Sequence, residues 1–412
     1  MTGTSLGQLA QGIRVEVPVP VASDIEVSFV MPCLNEAETL EGCIRAANAC
    51  IAQNQLRGEV IIGDNGSTDG SQDIARRLGA RVVDVPRKGY GNALLGGIRA
   101  ARGRFVIMGD SDMSYDFGDA MKFVSRLRSG DELVMGNRFD AAGGGGVQPG
   151  AMPLKNRYLG NPVLTWIGRV LFRCPARDFH CGLRGMRKEA FERMDVRSPG
   201  MEFASEMVIK ATFKGMRISE VPVKLHPDGR SRPPHLKPWR DGWRHLRFMI
   251  CHSPRWALLI PGIVLLTAGL LGGAAVAAGD VRVLGVNLGV HTLVAAALAV
   301  ILGHQWVMAG MVMRVFGLRT EIGRPGAWAE RIAGWVNFER GLIAGAALTL
   351  AGLAPMLWVV WRWAQGGYGT LEPTQTLRPM LVGATILVLG VQTALAAVIG
   401  AMFRMRRDAD VA

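Results

Sequence analysis

The sequence predicts a two-part protein: an α/β domain with a mostly parallel sheet, followed by an interfacial helix and an all-α membrane domain of four transmembrane helices. Three observations carry this. Up to about Cys251, short β-rich runs alternate with helical patterns, as parallel strands with crossover helices require. Beyond Trp256, four long stretches run with few or no charges, each near the roughly 20 residues that cross a hydrocarbon core. Between the two parts, Arg230 to Arg255 holds seven Lys or Arg and one acid, Asp241, a bias that suits an anionic cytoplasmic leaflet. The expected divisions are a loose leader over 1–24, the α/β domain over 25–237, an amphipathic juxtamembrane helix over 238–255, four transmembrane helices over 256–403 and a basic cytoplasmic tail over 404–412.

The 412 residues are 49% hydrophobic, too many for a chain that is water-soluble throughout. A net charge of +13 suits nucleic acid, anionic lipid or a phosphorylated substrate. No nucleic-acid motif accompanies it, and its concentration before the first apolar span favours lipid, so no nucleic-acid partner is expected. The six cysteines show no metal-ligand spacing, which points to reduced thiols and away from zinc. Met1 to Asp24 lacks the basic start and apolar core of a signal peptide.

Glu26 to Met31 is rich in β-formers and stops at Pro32; Cys33, Leu34, Asn35 and Glu36 then form a loop before a helical pattern reaching about Gln53. Glu59 to Gly63 repeats the arrangement and ends in Asp64-Asn65-Gly66-Ser67-Thr68-Asp69-Gly70, residues that favour tight turns. A short strand at about Ala80 to Val85 and a helix from Gly91 to Ala101 follow. Gly89 to Gly91 reads as a helix-entry turn, with Arg87 and Lys88 as candidate phosphate contacts. The strand Arg104 to Gly109 ends abruptly in Asp110 and Asp112. Alternation puts both carboxylates on one side of an extended backbone, where they can share a hard divalent cation; the plain alternative is an acidic helix cap and turn. Ligands of open parallel sheets bind beyond the strands' carboxyl ends, so Asn35, Glu36, Asp64, Asp69, Asp110 and Asp112 are expected at one edge.

Glu132 to Met135 reads as another buried strand, leading Arg138 to the same edge. Gly143 to Gly146 belong to a segment expected to act as a mobile loop near the site. Lys155 to Arg173 reads as one helix carrying Arg157 and Arg169; Asp178 to Gly185 as a polar loop; Met201 to Phe213 as a helix; and Arg217 to Val223 as a strand. In the basic, proline-rich stretch Pro227 to Pro238, Arg230 and Arg232 are expected to hold a phosphate. From Pro238 onward, Trp239, Trp243, Leu246 and Ile250 share one helical face, and Arg240, Arg244 and Arg247 a neighbouring one. That is the pattern of a helix lying in the membrane interface, although a helix packed on the soluble domain would also suit the tryptophans.

The expected spans are Trp256 to Ala278, Leu288 to Val312, Leu342 to Val360 and Pro379 to Met402. Arg314, Arg319, Arg324, Arg331 and Arg340 fall between the second and third, and Arg404, Arg406 and Arg407 in the tail. By the positive-inside rule the soluble domain and both termini are expected to be cytoplasmic, in a bacterial-type inner membrane. His291 and His304 are expected to be helix-packing polar residues rather than a transport path.

The ordered motifs P-C-L-N-E (Pro32 to Glu36), G-D-N-G-S-T-D-G (Gly63 to Gly70), D-S-D (Asp110 to Asp112), G-N-R (Gly136 to Arg138), D-F-H-C-G-L-R-G (Asp178 to Gly185) and E-V-P (Glu220 to Pro222) resemble a family 2 inverting glycosyltransferase. The resemblance is to the dolichyl-phosphate mannose synthase and polyprenyl-phosphate glycosyltransferase group and covers about Glu26 to Ile250. It implies a GT-A fold, a Rossmann-like mostly parallel sheet. It also implies transfer of one sugar from a nucleotide-sugar donor, a UDP- or GDP-hexose, to a polyprenyl (undecaprenyl or dolichyl) phosphate at the membrane. Pro32, Asn35, Glu36 and Asp64 would line the nucleotide pocket, and Asp110 and Asp112 would position Mg²⁺ or Mn²⁺ on the donor diphosphate. Arg138 and Arg157 would hold the acceptor phosphate, and Arg230 and Arg232 would close over the donor phosphates, with G-R-S-R standing for the usual G-E-S-K. Ser114 stands where many members carry a Gln that serves as a further metal ligand. The alternatives are a polysaccharide or glycolipid synthase of the same fold, which typically carries a Q-x-x-R-W motif absent here, and a non-catalytic nucleotide-sugar-binding scaffold.

Overall fold

Short apolar runs of this chain can satisfy their backbone groups out of water only by pairing, and seven of them form a single sheet. The computed structural model describes residues 24–139, 143–232, 238–319 and 337–405. The strands are β1 (Val27–Cys33), β2 (Gly58–Asp64), β3 (Arg81–Asp84), β4 (Phe105–Met108), β5 (Leu133–Asn137), β6 (Arg184–Arg187) and β7 (Ile218–Pro222), in the order β3-β2-β1-β4-β6-β5-β7. The pairs β1–β2, β1–β4, β2–β3 and β5–β7 are parallel, and β6 runs antiparallel to both β4 and β5.

Alternate residues feed two cores, as the two-residue period of a strand requires. On one face Phe29, Met31, Ile62 and Ile107 pack with Leu40 and Ile44 of helix α1 (Leu40–Gln53) and Phe123 of α4 (Ala120–Arg128), where α2 (Ser71–Arg77) and α3 (Tyr90–Ala100) lie between these two in the chain. On the other face Val30, Ile61, Val106 and Met108 pack with Leu94 and Ile98 of α3. Gly63 lets α3 approach β2, because a Cβ there would lie 2.2 Å from the Ala93 carbonyl oxygen.

Several details differ from the sequence reading. The expected helix over 155–173 is a π turn at Asn156–Gly160 followed by α5 (Asn161–Phe172). Of the expected polar loop Asp178 to Gly185, only Asp178 to Leu183 is loop; Arg184 and Gly185 already belong to β6, a strand R-G-M-R that carries no β-forming signature. After α6 (Lys188–Met194) and α7 (Phe203–Phe213), α8 (Pro238–Cys251) leads toward the membrane part. The described part of the glycine-rich segment is fastened rather than loose. Amides of Gly144, Gly145 and Gly146 donate to Phe139, Asn137 and Arg138 carbonyls, and a Cβ at Gly145 would lie 2.6 Å from the Val223 backbone.

The membrane part has α9 (Ile260–Ala277), a hairpin of β8 (Val281–Val283) and β9 (Val286–Leu288), α10 (Val290–Arg319), α11 (Phe338–Gln365) and α12 (Pro373–Met405). Four helical segments, Arg255–Ala277, Val290–Gly317, Phe338–Gln365 and Gln375–Phe403, are long and apolar enough to cross a membrane. Small residues seat them on one another: a Cβ at Gly352 of α11 would lie 2.4 Å from the Leu387 amide nitrogen of α12. His304 Nδ1 pairs with Gln392 Oε1 at 2.8 Å and its Nε2 with Thr393 Oγ1 at 3.3 Å, joining α10 to α12 as the packing reading expected. His291 stands at the start of α10. Arg324 and Arg331 of the expected basic connection, and Arg406 and Arg407 of the tail, lie outside the described residues.

Candidate active site

The parallel register brings the motif loops to one edge. Cys33 is opposite Asp64 in the β1–β2 pair, and Val30 is opposite Met108 in the β1–β4 pair, so the loops after β1, β2 and β4 emerge side by side. Because β6 is antiparallel, its leading loop Asp178 to Leu183 arrives at that edge from the other direction. The first two loops are sewn together. Asn35, in the left-handed region at φ 59°, donates its backbone amide to Ser67 Oγ at 2.9 Å, and its Oδ1 accepts from the Thr68 amide at 2.8 Å. The Glu36 amide donates to Ser71 Oγ at 3.0 Å.

Asp64 is wholly buried and accepts from the amides of Gly66 and Ser67 at 3.0 and 3.1 Å and from Gln72 Nε2 at 2.6 Å. It shapes the pocket's turn rather than presenting an open carboxylate. Pro32 is half-buried, and its carbonyl accepts the Ser111 hydroxyl at 2.7 Å, tying β1 to the acid loop. Lys88 Nζ donates to the Asn65 carbonyl at 2.5 Å, which makes it a loop tie; Arg87 is exposed.

At the centre, Arg230 Nη2 donates to Asp112 Oδ2 at 2.6 Å and to Asp228 at 3.2 Å, while Nη1 reaches Glu36 Oε1 at 3.2 Å. Arg232 joins Glu36 at 2.9 Å and donates to the Asn35 carbonyl at 2.6 Å. The late basic loop is therefore folded onto acids 118 and 194 residues earlier in the chain, and its Gly229 amide donates to the Asp112 carbonyl at 2.9 Å. The other oxygen of Asp112 accepts the Ser114 amide and hydroxyl at 3.0 and 2.5 Å, so Ser114 orients that carboxylate. Asp110 accepts the Tyr90 hydroxyl at 2.9 Å. Desolvation, and then the neighbouring Asp112 charge, push the Asp110 carboxyl up to about 6.

These two acids suit a divalent cation. They are hard oxygen donors on one loop, and the repulsion that raises Asp110 is what a bound positive charge relieves. Among the described residues no group of three His, Cys, Asp or Glu side chains forms a complete metal cage, so donor phosphate or water oxygens would have to complete the shell.

Arg138 is placed at the edge as expected, but its fork is engaged. Nε and Nη2 donate to Asp178 at 2.7 and 2.8 Å, its backbone amide donates to the same carboxylate at 3.0 Å, and Nη1 faces the Tyr115 hydroxyl at 3.3 Å. Burial opposes its charge, and the Asp178 carboxylate more than offsets this, holding Arg138 above its ordinary range. Arg157 sits on the π turn, half-buried beside the Tyr158 ring, and no described contact joins it to the acids. Sequence reasoning missed Tyr90, Tyr115 and Arg184. Tyr115 takes the Gly182 amide at 2.9 Å. Arg184, with no exposed surface, is caged by the carbonyls of Cys181, Ala204 and Phe179 at 2.8, 2.6 and 3.1 Å. Only their positions inside or beside the motifs could have marked them.

Residues 28–195 match the model of glycosyl transferase family 2, and residues 311–404 that of the glycosyltransferase family 2 C-terminal transmembrane region. The low-salt glycan biosynthesis hexosyltransferase Agl6 of Haloferax volcanii is 35% identical over 375 residues, which are 90% of this chain and 89% of that one. Glycosyltransferase AglJ of the same organism is 30% identical over 55% of this chain and 70% of its own. A glucosyl-3-phosphoglycerate synthase from Mycobacterium tuberculosis, solved with Mn²⁺ and UDP, is 23% identical over 55% of this chain and 78% of its own, with a TM-score of 0.42, too distant to carry an argument. The two matched models and the near full-length relative establish that the chain belongs to glycosyltransferase family 2, as a GT-A domain followed by a C-terminal transmembrane region.

Proposed function

We propose that this membrane glycosyltransferase moves a single hexose, with inversion, from a UDP- or GDP-hexose to a polyprenyl phosphate at the cytoplasmic membrane face. The observation that carries the reading is the Arg230–Asp112–Glu36 cluster at the sheet edge of a domain whose last helix runs into the first span. Such a cluster supplies acids for a cation and arginines for a diphosphate within one cleft. The hexosyltransferase name of Agl6 supports the sugar class.

A phosphate monoester is ionised near neutral pH, so it can attack the anomeric carbon without a dedicated general base. Catalysis then rests on alignment and charge. Arg230 and Arg232 release Glu36 and Asp112 and take the donor diphosphate, while Ser114 keeps Asp112 oriented. Asp110 and Asp112 would hold Mg²⁺ or Mn²⁺, which when bound supplies positive charge for the leaving nucleoside diphosphate. Arg138 acts through Asp178, Tyr115 and Gly182 as a positioning residue. Arg157, which no described carboxylate engages, is assigned to the acceptor phosphate.

The test incubates membranes containing the protein with a panel of nucleotide sugars and short polyprenyl phosphates. An acid-labile lipid-phosphate sugar is expected with one donor. Sugar on a polymer or an acid-stable glycolipid would favour a synthase, and nucleotide binding without product would favour a scaffold.

A further inference from the structure

A polar recess lies at the end of the membrane helices away from the catalytic domain. The first span leaves that domain just after α8 and ends at Ala277; the β8–β9 hairpin then turns the chain back into α10, and the start of α12 meets it there through an Arg378–Asp280 ion pair. Asp280, Asn287 of β9, His291 and Thr292 of α10, and Arg378 of α12 line a recess of about 490 Å³.

Arg378 stands where basic residues are disfavoured, at the far end of a span, and its side chain is only 19% exposed. Asp280, which holds its guanidinium, is 58% exposed, and the buried Arg378 Nε has no hydrogen-bond partner. A pair so open to water contributes little, whereas a buried donor left unmade is costly. Among the described residues no side-chain hydrogen bond engages Asn287, His291 or Thr292. The helix α10 starts beside them, so its first amides have no carbonyl within the helix to donate to. A guanidinium, a hydroxyl, a side-chain amide and backbone amides around one space are the groups that take the oxygens of a phosphate.

The hairpin sets the depth of the recess. Its register pairs Val281 with Leu288 and Val283 with Val286, so four aliphatic residues share one face, and Arg282 and Asn287 share the other. Leu284 at the tip is 99% exposed. Two strands alone are at best marginal in water, and an apolar face set between the ends of two spans is covered by the lipid that covers the spans. The recess, on the polar side of the hairpin, therefore opens at the level of the headgroups.

We propose that the recess is a lipid site: it binds the phosphate of a headgroup in the leaflet opposite the catalytic domain, and Asp280 holds Arg378 in place until that phosphate takes over. The site rests on the membrane fold alone and not on the sugar or acceptor of the reaction.

The test titrates the full-length protein in maltoside micelles with dioctanoyl phosphatidylglycerol and counts bound lipid by native mass spectrometry. Arg378→Gln is expected to weaken the first bound lipid about tenfold, while Arg362→Gln, an exposed arginine at the same end of α11, leaves it unchanged. Asp280→Asn is expected to tighten it about threefold, because the guanidinium loses its rival anion. Dioctanoylglycerol, which lacks the phosphate, should bind all four proteins alike. Equal affinity in the wild type and Arg378→Gln, or an equal loss at Arg362→Gln, overturns the proposal. So does unchanged or weakened binding to Asp280→Asn, since the pair would then only fasten the hairpin to α12. Displacement of the lipid by millimolar inorganic phosphate would make this a site for the free anion and overturn the lipid assignment. Should Arg378→Gln fold poorly, Asn287→Ala, on the exposed hairpin, is expected to weaken binding about threefold, and an unchanged affinity there overturns the proposal equally.

Discussion

At Arg230 one guanidinium contacts three carboxylates, Glu36, Asp112 and Asp228, and so stands where, on the proposed function, a donor's diphosphate and its counter-ion would enter. Asp112→Asn removes the charge that would hold the cation and, through it, the diphosphate. It is expected to lower kcat by about 10²–10³ and abolish its dependence on added Mg²⁺ or Mn²⁺. A divalent-cation titration of turnover checks this, and an unchanged titration contradicts the metal assignment. Arg138 makes the opposite kind of contact. Its bond to Asp178 is buried and two-pronged, so Arg138→Ala leaves an unpaired carboxylate inside and is expected to cost about 3–5 kcal/mol of stability. Denaturant unfolding of the purified protein reads it; full stability with lost acceptor use would return Arg138 to direct phosphate contact. Lysine should not rescue, because it lacks the fork. The roles of single residues were the least legible feature of the sequence. Asp110 and Asp112 announce themselves by ending an apolar run, but Tyr90 reaches Asp110 only because α3 lies beside β4's exit, and that follows from packing rather than local pattern.

Elements were legible wherever one periodicity ran long enough. Strands β1, β2 and β4 and the exposed tryptophan stripe of α8 follow directly from apolar runs and a helical period. β6 did not, since Gly185 has no side chain to signal a strand. It is a glycine because Ile107, Phe123 and Leu127 crowd it, with Cβ contacts of 3.0–3.2 Å. The π turn before α5 was also hidden, as its residues continue a helical pattern. At this scale Gly63→Ala pushes a methyl into the Ala93 carbonyl and is expected to destabilise by about 1–3 kcal/mol, measured as a lowered unfolding midpoint, by separating α3 from β2. The docking of α8 carries a pH signature. His245 is buried against Ser205 Oγ at 2.7 Å, and desolvation lowers its pKa from 6.5 to about 4. Its neighbour His180, ring to ring at 4.8 Å, is lowered too. The unfolded chain therefore binds protons that the folded chain does not between pH 6.5 and about 4, so stability falls as pH drops through that window. His245→Gln is expected to flatten the fall, read as unfolding midpoint against pH; an equal slope in both proteins rules out this cause.

For the molecule as a whole, the division into an α/β domain and four apolar helices was legible from charge and hydropathy alone, because a bilayer tolerates few charges in a span. What charge and hydropathy do not carry, and only the family resemblance implied, is the tertiary arrangement that brings Arg230 and Arg232 back to Asn35 and Glu36 across nearly 200 residues. That return makes one cleft of both ends of the domain and leaves it attached to the membrane by α8. On the proposed function, an enzyme so placed would join a water-soluble donor to a lipid acceptor. The measurement that tests this most directly is mass spectrometry of the lipid made by the full-length protein in nanodiscs, given its nucleotide hexose and a polyprenyl phosphate, before and after mild acid. The account predicts one hexose added per polyprenyl phosphate and fully released by acid. A series of hexose additions, or a sugar that survives acid on another lipid, would contradict it.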